Sequence, residues 1–277
     1  MKYALSILAH EKPDVMIDQI RNIAHFVPDA TIVLHLHVNF NWGGDNVDFS
    51  KFGNVLVNPV STPTFWGNLH HAHHSNFHFA SRELDFTHFL LHSSSDLFVK
   101  KGVSEYIDKN QAGLSLVSPM PSQNTPMFAE GDPVFQRIMK DSGANELWCS
   151  QVEGTFYRKD LFAEVVSIIE RHFDYRKTLP YVHEEIYYPT IISGLGIDFG
   201  DPYLLREDKE KLPAFNPAFV DMIRRGEVSD YHIVRWKLGR EVDSKVWHGK
   251  NMYAMRPIPR VIDHPIRKHV RSIMEAA

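Results

Sequence analysis

FWGNLHHAHHSNFHFASRELDFTHFLLHSSSDLFVKK, residues 65–101, decides the fold class because it orders a helix, a buried strand and a polar turn. Residues 68–82 suit a helix, and residues 86–91 form a short, mostly apolar run that fits a buried strand. The strand then breaks into Ser93, Ser94, Ser95 and Asp96. Small polar residues at the C-terminal edge of a strand are where open α/β sheets bind their ligands.

Working outward, residues 3–8 read as a strand and residues 13–26 as an amphipathic helix whose start is marked by Lys12, Pro13 and Asp14. Residues 31–38 and 54–60 are further strands, and residues 114–120 supply another β-rich run. Alternating strands and helices imply a mostly parallel central sheet flanked by helices, with right-handed crossovers. A Pro/Gly/polar passage at 119–133 separates this half from a second, with a strand at 154–157 and helices at 160–173 and 184–193. From residue 212 onward the pattern is irregular, with a short helix at 217–225 and isolated β-like pieces.

At 277 residues, with 43% apolar and 23% charged, the chain can bury a large core and has the composition of a globular enzyme. A formal charge of −4 gives no general reason to bind nucleic acid. The C-terminal stretch is nevertheless locally basic: Lys250, Arg256, Arg260, Arg267, Lys268 and Arg271 face only Asp263 and Glu275. That stretch offers a peripheral contact to the inner face of a membrane. The single cysteine, Cys149, excludes an internal disulfide. The apolar part of residues 1–9 is too short for a secretory signal, and no apolar run reaches the roughly 18 residues of a membrane span. The composition therefore points to a cytoplasmic enzyme.

Five further motifs carry candidate chemistry. His183 to Thr190 reads HEEIYYPT, so Glu184 and Glu185 open a helix, where the dipole favours negative charge. On the residues alone, capping and solvation account for this pair. HIVRW at 232–236 and YAMRP at 253–257 place Arg235 and Arg256 in the basic region, where each read alone is a solvated surface residue. HLHVN at 35–39 ends the second strand on Asn39, and the first strand ends Leu8, Ala9, His10, Glu11.

In order and spacing these motifs resemble the core-2/I-branching β-1,6-N-acetylglucosaminyltransferase family, its bacterial members above all. The likeness covers most of the chain: a Trp-Gly start at Trp66, the helix, the strand, the Ser-rich turn closing on Asp96, the carboxylate pair, and two late basic motifs 21 positions apart. It implies a GT-A-like glycosyltransferase domain spanning 1–277. Within it, about 1–120 would hold the nucleotide sugar, 121–211 the acceptor and catalytic residues, and 212–277 the diphosphate. Glu185 matches the family's catalytic base and Glu184 the Asp before it. Arg235 and Arg256 match the cations that, in relatives lacking a metal, neutralise departing UDP. Asp96, Asn39 and His10 would line the donor pocket, with Asn39 where the family carries Asp, and Glu153 and Trp66 would contact substrate. The implied reaction is inverting transfer of GlcNAc or a related sugar from a UDP-sugar to a hydroxyl of a glycan or lipid-linked oligosaccharide, giving a β-linkage.

No Asp-x-Asp triplet occurs in the sequence, so the usual carboxylate pair for a divalent ion on a sugar nucleotide is missing. This points to metal-independent catalysis with no cofactor beyond the donor. Two other readings compete. His70 and His74 stand one helical turn apart, as two zinc ligands of a hydrolase would. Otherwise the four histidines at 70, 71, 73 and 74 read as a polar helix face or pocket lining that charges below about pH 6.5. The second alternative is a catalytically silent glycan-binding protein on the same fold.

Overall fold

The computed structural model describes residues 2–41, 47–64, 67–115, 129, 131–175, 181–206, 215–237 and 240–276. Strand β1 (Tyr3–Glu11) is buried from residue 3 to residue 9, which its near-continuous apolar run allows only at the centre of a sheet. It pairs in parallel with β2 (Ala30–Asn41) on one side and β4 (His88–Ser93) on the other. β3 (Val55–Val57) extends the parallel part beyond β2. β5 (Leu97–Phe98) leaves the sheet after the serine turn. β6 (Ala112–Ser115) and β7 (Gln151–Arg158) complete the order β3-β2-β1-β4-β7-β6, with β7 antiparallel to both neighbours.

Alternate side chains of β1 and β4 feed cores on opposite faces. Leu5, Ile7 and Leu90 join the core that holds Met16, Ile20 and Ile23 of α1 (Pro13–Phe26). Ala4, Phe89 and Leu91 join the other core. There they meet Phe77 of α2 (His70–Glu83), and beyond α3 (Val103–Ile107) in sequence lie three further helices of that core, α4 (Pro133–Ser142), α5 (Lys159–Glu170) and α6 (Glu184–Gly194).

The later chain is more ordered than the isolated β-like pieces expected of it. Its helix α7 (Pro217–Arg225) has the expected bounds, set by Pro217 in its first turn and Gly226 at φ +71° just past its end. β9 (Tyr231–Lys237) and β10 (Arg240–Trp247) form an antiparallel hairpin. β11 (Ala254–Arg256) is the centre of a second sheet, antiparallel to β5 and parallel to β8 (Leu204–Arg206). Helix α8 (Pro265–Glu275), which the sequence reading leaves out, closes over α1. Its Arg267 is fully buried: Nη1 donates to Asp18 of α1 at 2.9 Å, and Nη2 and Nε reach the carbonyls of Ser94 and Pro259, each at 3.0 Å. Arg271 shares Asp18 at 3.1 Å. Two of the basic residues expected to face a membrane are thus turned inward. No helix among the described residues is long and apolar enough to cross a membrane.

The histidines of α2 are a second correction. His70, His73 and His74 are 2% exposed or less, because polar partners from distant segments receive two of them. His73 Nδ1 bonds Ser6 of β1 at 2.8 Å, and His74 Nδ1 bonds Tyr175 at 2.7 Å. Burial holds His70, His73 and His183 down at about 3 and His35 and His92 at about 4, and pushes His74 well below its usual range. These rings therefore stay neutral where a surface cluster would charge.

The acid stability follows. Each such histidine has a folded pKa below its unfolded value, so its stabilisation is complete above about pH 6.5 and is lost as pH falls, at roughly 1 kcal/mol per pH unit per group. Glu184 and Glu185, raised by burial to about 7, act in the opposite sense between pH 7 and 4.5, but six imidazoles outweigh two carboxyls. The urea midpoint is expected to fall steeply between pH 6.5 and 5. A flat midpoint over that interval would show the rings to be solvated in solution.

Candidate active site

Because β7 runs against β4, its first residues lie at the same sheet edge as the serine turn that ends β4. Gly154, at φ +87°, lets β7 pass close to the second sheet. A Cβ there would stand 2.3 Å from that of Leu204. Beside it, β8 and β11 set Arg206 and Arg256 in register. Their side chains and those of Gln151, Glu153, Glu184 and Glu185 line a cavity of about 210 Å³. A larger open groove of about 980 Å³ between α2 and α5 lies at the other end of β4 and β7, lined by Phe77, Thr87 and Arg158 among others.

Pro189 explains how Glu185 is held. A proline inside α6 has no N–H to give to the carbonyl four residues before it, which is that of Glu185. That free carbonyl accepts from the N–H of Ser150 at 2.8 Å, and Thr190 Oγ1 accepts from the N–H of Trp148 at 2.9 Å. The start of α6 is thereby strapped to the segment leading into β7, which carries Gln151 and Glu153. Burial, then the neighbouring charge of Glu184, raises the Glu185 carboxyl to about 7, with Arg206 opposing. Glu184 is more deeply buried, 2% exposed, and is raised to about 7 by burial alone. Its Oε2 accepts weakly from the N–H of Leu69 at 3.5 Å.

Across the cavity, Arg256 contacts the Glu153 carboxylate through Nη1, and its Nε lies 3.6 Å from Asp96 Oδ1. Glu153 also accepts from Gln151 Nε2, whose Oε1 accepts from Arg206. Asp96 is fully buried. It closes the serine turn by accepting from Ser93 N at 2.7 Å and Ser93 Oγ at 3.0 Å, and it reaches the cavity through Arg256.

The structure therefore brings together Glu184, Glu185, Glu153 and Arg256, with Asp96 behind. His10 and Asn39 sit at the ends of β1 and β2 and do not line the cavity. His10 stands over His37, with ring centres 5.2 Å apart, and Asn39 is exposed. Arg235 is on β9 opposite Asp243, and its side chain lies outside the described residues, as does Trp66. Arg206 and Gln151 are missed by the sequence reading. YLLR at 203–206, an apolar run ending on a cation, was the available signal for the first. His70 and His74 do not form the expected zinc pair: among the described residues the side chains whose donor atoms come within ligand spacing of His70 are His183 and Glu184, not His74.

No family model matches the chain, and no curated protein matches it in sequence. Among solved structures, it aligns with the galactosyltransferase LgtC in complex with donor and acceptor sugar analogs at a TM-score of 0.45 and 10% identity, over 98% of this chain and 95% of that one. An active-site mutant of LgtC aligns at 0.41 and 10% identity, over 73% and 75%. S. aureus TarS aligns at 0.33 and 11% identity, over 64% of this chain and 31% of the TarS chain.

Proposed function

We propose that the chain is a GT-A-like, inverting glycosyltransferase that moves GlcNAc or a related sugar from a UDP-sugar to a hydroxyl of a bacterial glycan. The observation that carries this reading is a carboxyl poised near neutrality, Glu185, facing a fixed guanidinium, Arg256, across one cavity at the ligand edge of the sheet. Glu185 takes the proton from the acceptor hydroxyl as that oxygen bonds to the anomeric carbon. The bond from that carbon to the diphosphate breaks on the far side, and UDP leaves with the electron pair. Arg256 and, by the family likeness, Arg235 meet the charge that gathers on the diphosphate, so no divalent ion on the donor is required. A cavity of about 210 Å³ suits the junction of sugar, diphosphate and acceptor hydroxyl rather than a whole nucleotide sugar. The uridine then extends toward the ends of β1 and β2, where His10 and Asn39 lie.

The test is a panel of nucleotide sugars scored by thermal shift and by UDP release in the presence of glycan acceptors. A donor that shifts unfolding and turns over supports transfer. Glycan binding without any nucleotide shift would return the protein to a binding role. With a productive pair in hand, turnover is expected to rise with pH as the Glu185 carboxyl ionises and to level off above about pH 7. The profile is read between pH 6 and 8, with the folded state checked by circular dichroism at each pH. A rate independent of pH between 6 and 8 would remove Glu185 as the base.

A further inference from the structure

Behind the cavity wall, the starts of α2 and α6 meet at His70, His183 and Glu184, and we propose that these three residues bind a zinc-like divalent cation. One donor atom from each lies within 4.8 Å of the others, and His70 Nδ1 is 3.9 Å from Glu184 Oε2. An ion held tetrahedrally at about 2.0–2.1 Å keeps its ligand atoms roughly 3.3 Å apart, so closure needs shifts of about an ångström. Among the described residues this is the one group of three or more such side chains with metal-ligand spacing.

A second, independent observation is the state of the imidazoles. His70 and His183 are 0% and 1% exposed, and none of their four ring nitrogens has a hydrogen-bond partner. Buried polar atoms are almost always paired, so these orphans mark a missing partner, and an ion would take one nitrogen from each ring. Their surroundings supply none: the rings pack edge-on at 5.2 Å, with Phe173, Tyr181 and Tyr187 around them, and the hydroxyls of Tyr181 and Tyr187 bond each other at 2.9 Å. Neutral imidazole is the form that ligates a metal, and two imidazoles with one carboxylate form a zinc donor set. Two helix starts disfavour a cation, but only weakly, and the Glu184 carboxylate offsets them. The ion would pin the Gly67 to His70 entry of α2 to the Val182 to Glu184 entry of α6, which two long hydrogen bonds, His183 N to Gly67 O at 3.4 Å and Leu69 N to Glu184 Oε2 at 3.5 Å, join loosely. It is separate from any ion on a donor diphosphate and stands whether or not the chain transfers sugar.

The experiment is metal analysis of untagged protein purified without chelator, then stripped and titrated with Co²⁺. About one zinc per chain, or saturable uptake of about one Co²⁺ with the visible absorption of a tetrahedral nitrogen/oxygen site, is expected. The ion is expected to raise the unfolding temperature of the stripped protein by mass action. His70→Gln with His183→Gln is expected to abolish uptake, while His78→Gln, an exposed histidine on the same helix, keeps it. Absence of zinc together with no saturable Co²⁺ uptake by the wild-type chain would overturn the site, as would full uptake by the double variant. Should the double variant not fold, the wild-type titration decides alone.

Discussion

Glu185→Gln is expected to cut turnover by about 10²–10⁴-fold, the scale of losing a general base, while affinity for the donor stays nearly unchanged. The amide keeps the shape and the backbone tie to Ser150 but cannot accept the proton. The structure adds a control that the sequence does not offer. Glu185 and Glu184 are both raised to about 7, and an ionised Glu184 disfavours ionisation of Glu185. Neutralising one of them removes that repulsion, so above pH 7 the variant is expected to unfold at the same temperature or higher. Activity lost with stability kept identifies chemistry. Retention of more than about a tenth of wild-type turnover, by UDP release, would exclude Glu185 and make Glu153 the next carboxylate to test.

Arg256→Ala is expected to slow transfer by about 10²–10³-fold and to weaken UDP binding measured by calorimetry, as loss of one group that stabilises leaving charge does. The side chain is 20% exposed and touches two carboxylates, so this is no solvated surface arginine. Its removal leaves Asp96, fully buried, without that cation, and the unfolding temperature is expected to fall as well. Arg256→Lys separates the two effects, because it keeps the charge and changes only the hydrogen-bond fork. Recovered stability with partial recovery of turnover is the expected outcome. Unchanged turnover and UDP affinity in the Ala variant would remove the main support for leaving-group neutralisation by the chain's own cations.

Features legible in the sequence are those written in local pattern. The apolar runs of β1 and β4 name buried strands, Pro13 and Pro217 open α1 and α7 at the residues expected, and the serine turn after β4 falls at the ligand edge. Glu184 and Glu185 open α6 as their position implies. What was hidden depends on partners far along the chain. The α2 histidines look like a polar face until Ser6 and Tyr175 are brought against them. Arg206 reaches the cavity only because β8 pairs with β11. Helix α8 carries Ile266, Val270 and Ile273 at helical spacing, but its basic residues suggest solvent, and nothing near Arg267 in sequence names Asp18 as its counter-charge. The stretch 116–128 and Trp66 lie outside the described residues.

Asp18 and Arg267 meet late as the protein is made. Asp18 and Arg267 are separated by 249 positions, so at translation rates of about 5–20 residues per second the carboxylate on α1 waits roughly ten to fifty seconds for its guanidinium. Through that interval β1, β2 and β4 can pair, but α1 lacks the cover of α8, and Asp18 stays in water rather than in the core. Arg256 arrives on the same late segment, as the middle strand of a sheet whose outer members, β5 and β8, both precede it in the chain. The growing chain is thus open to proteases and holding chaperones until α8 docks, and its cavity gains Arg256 only shortly before.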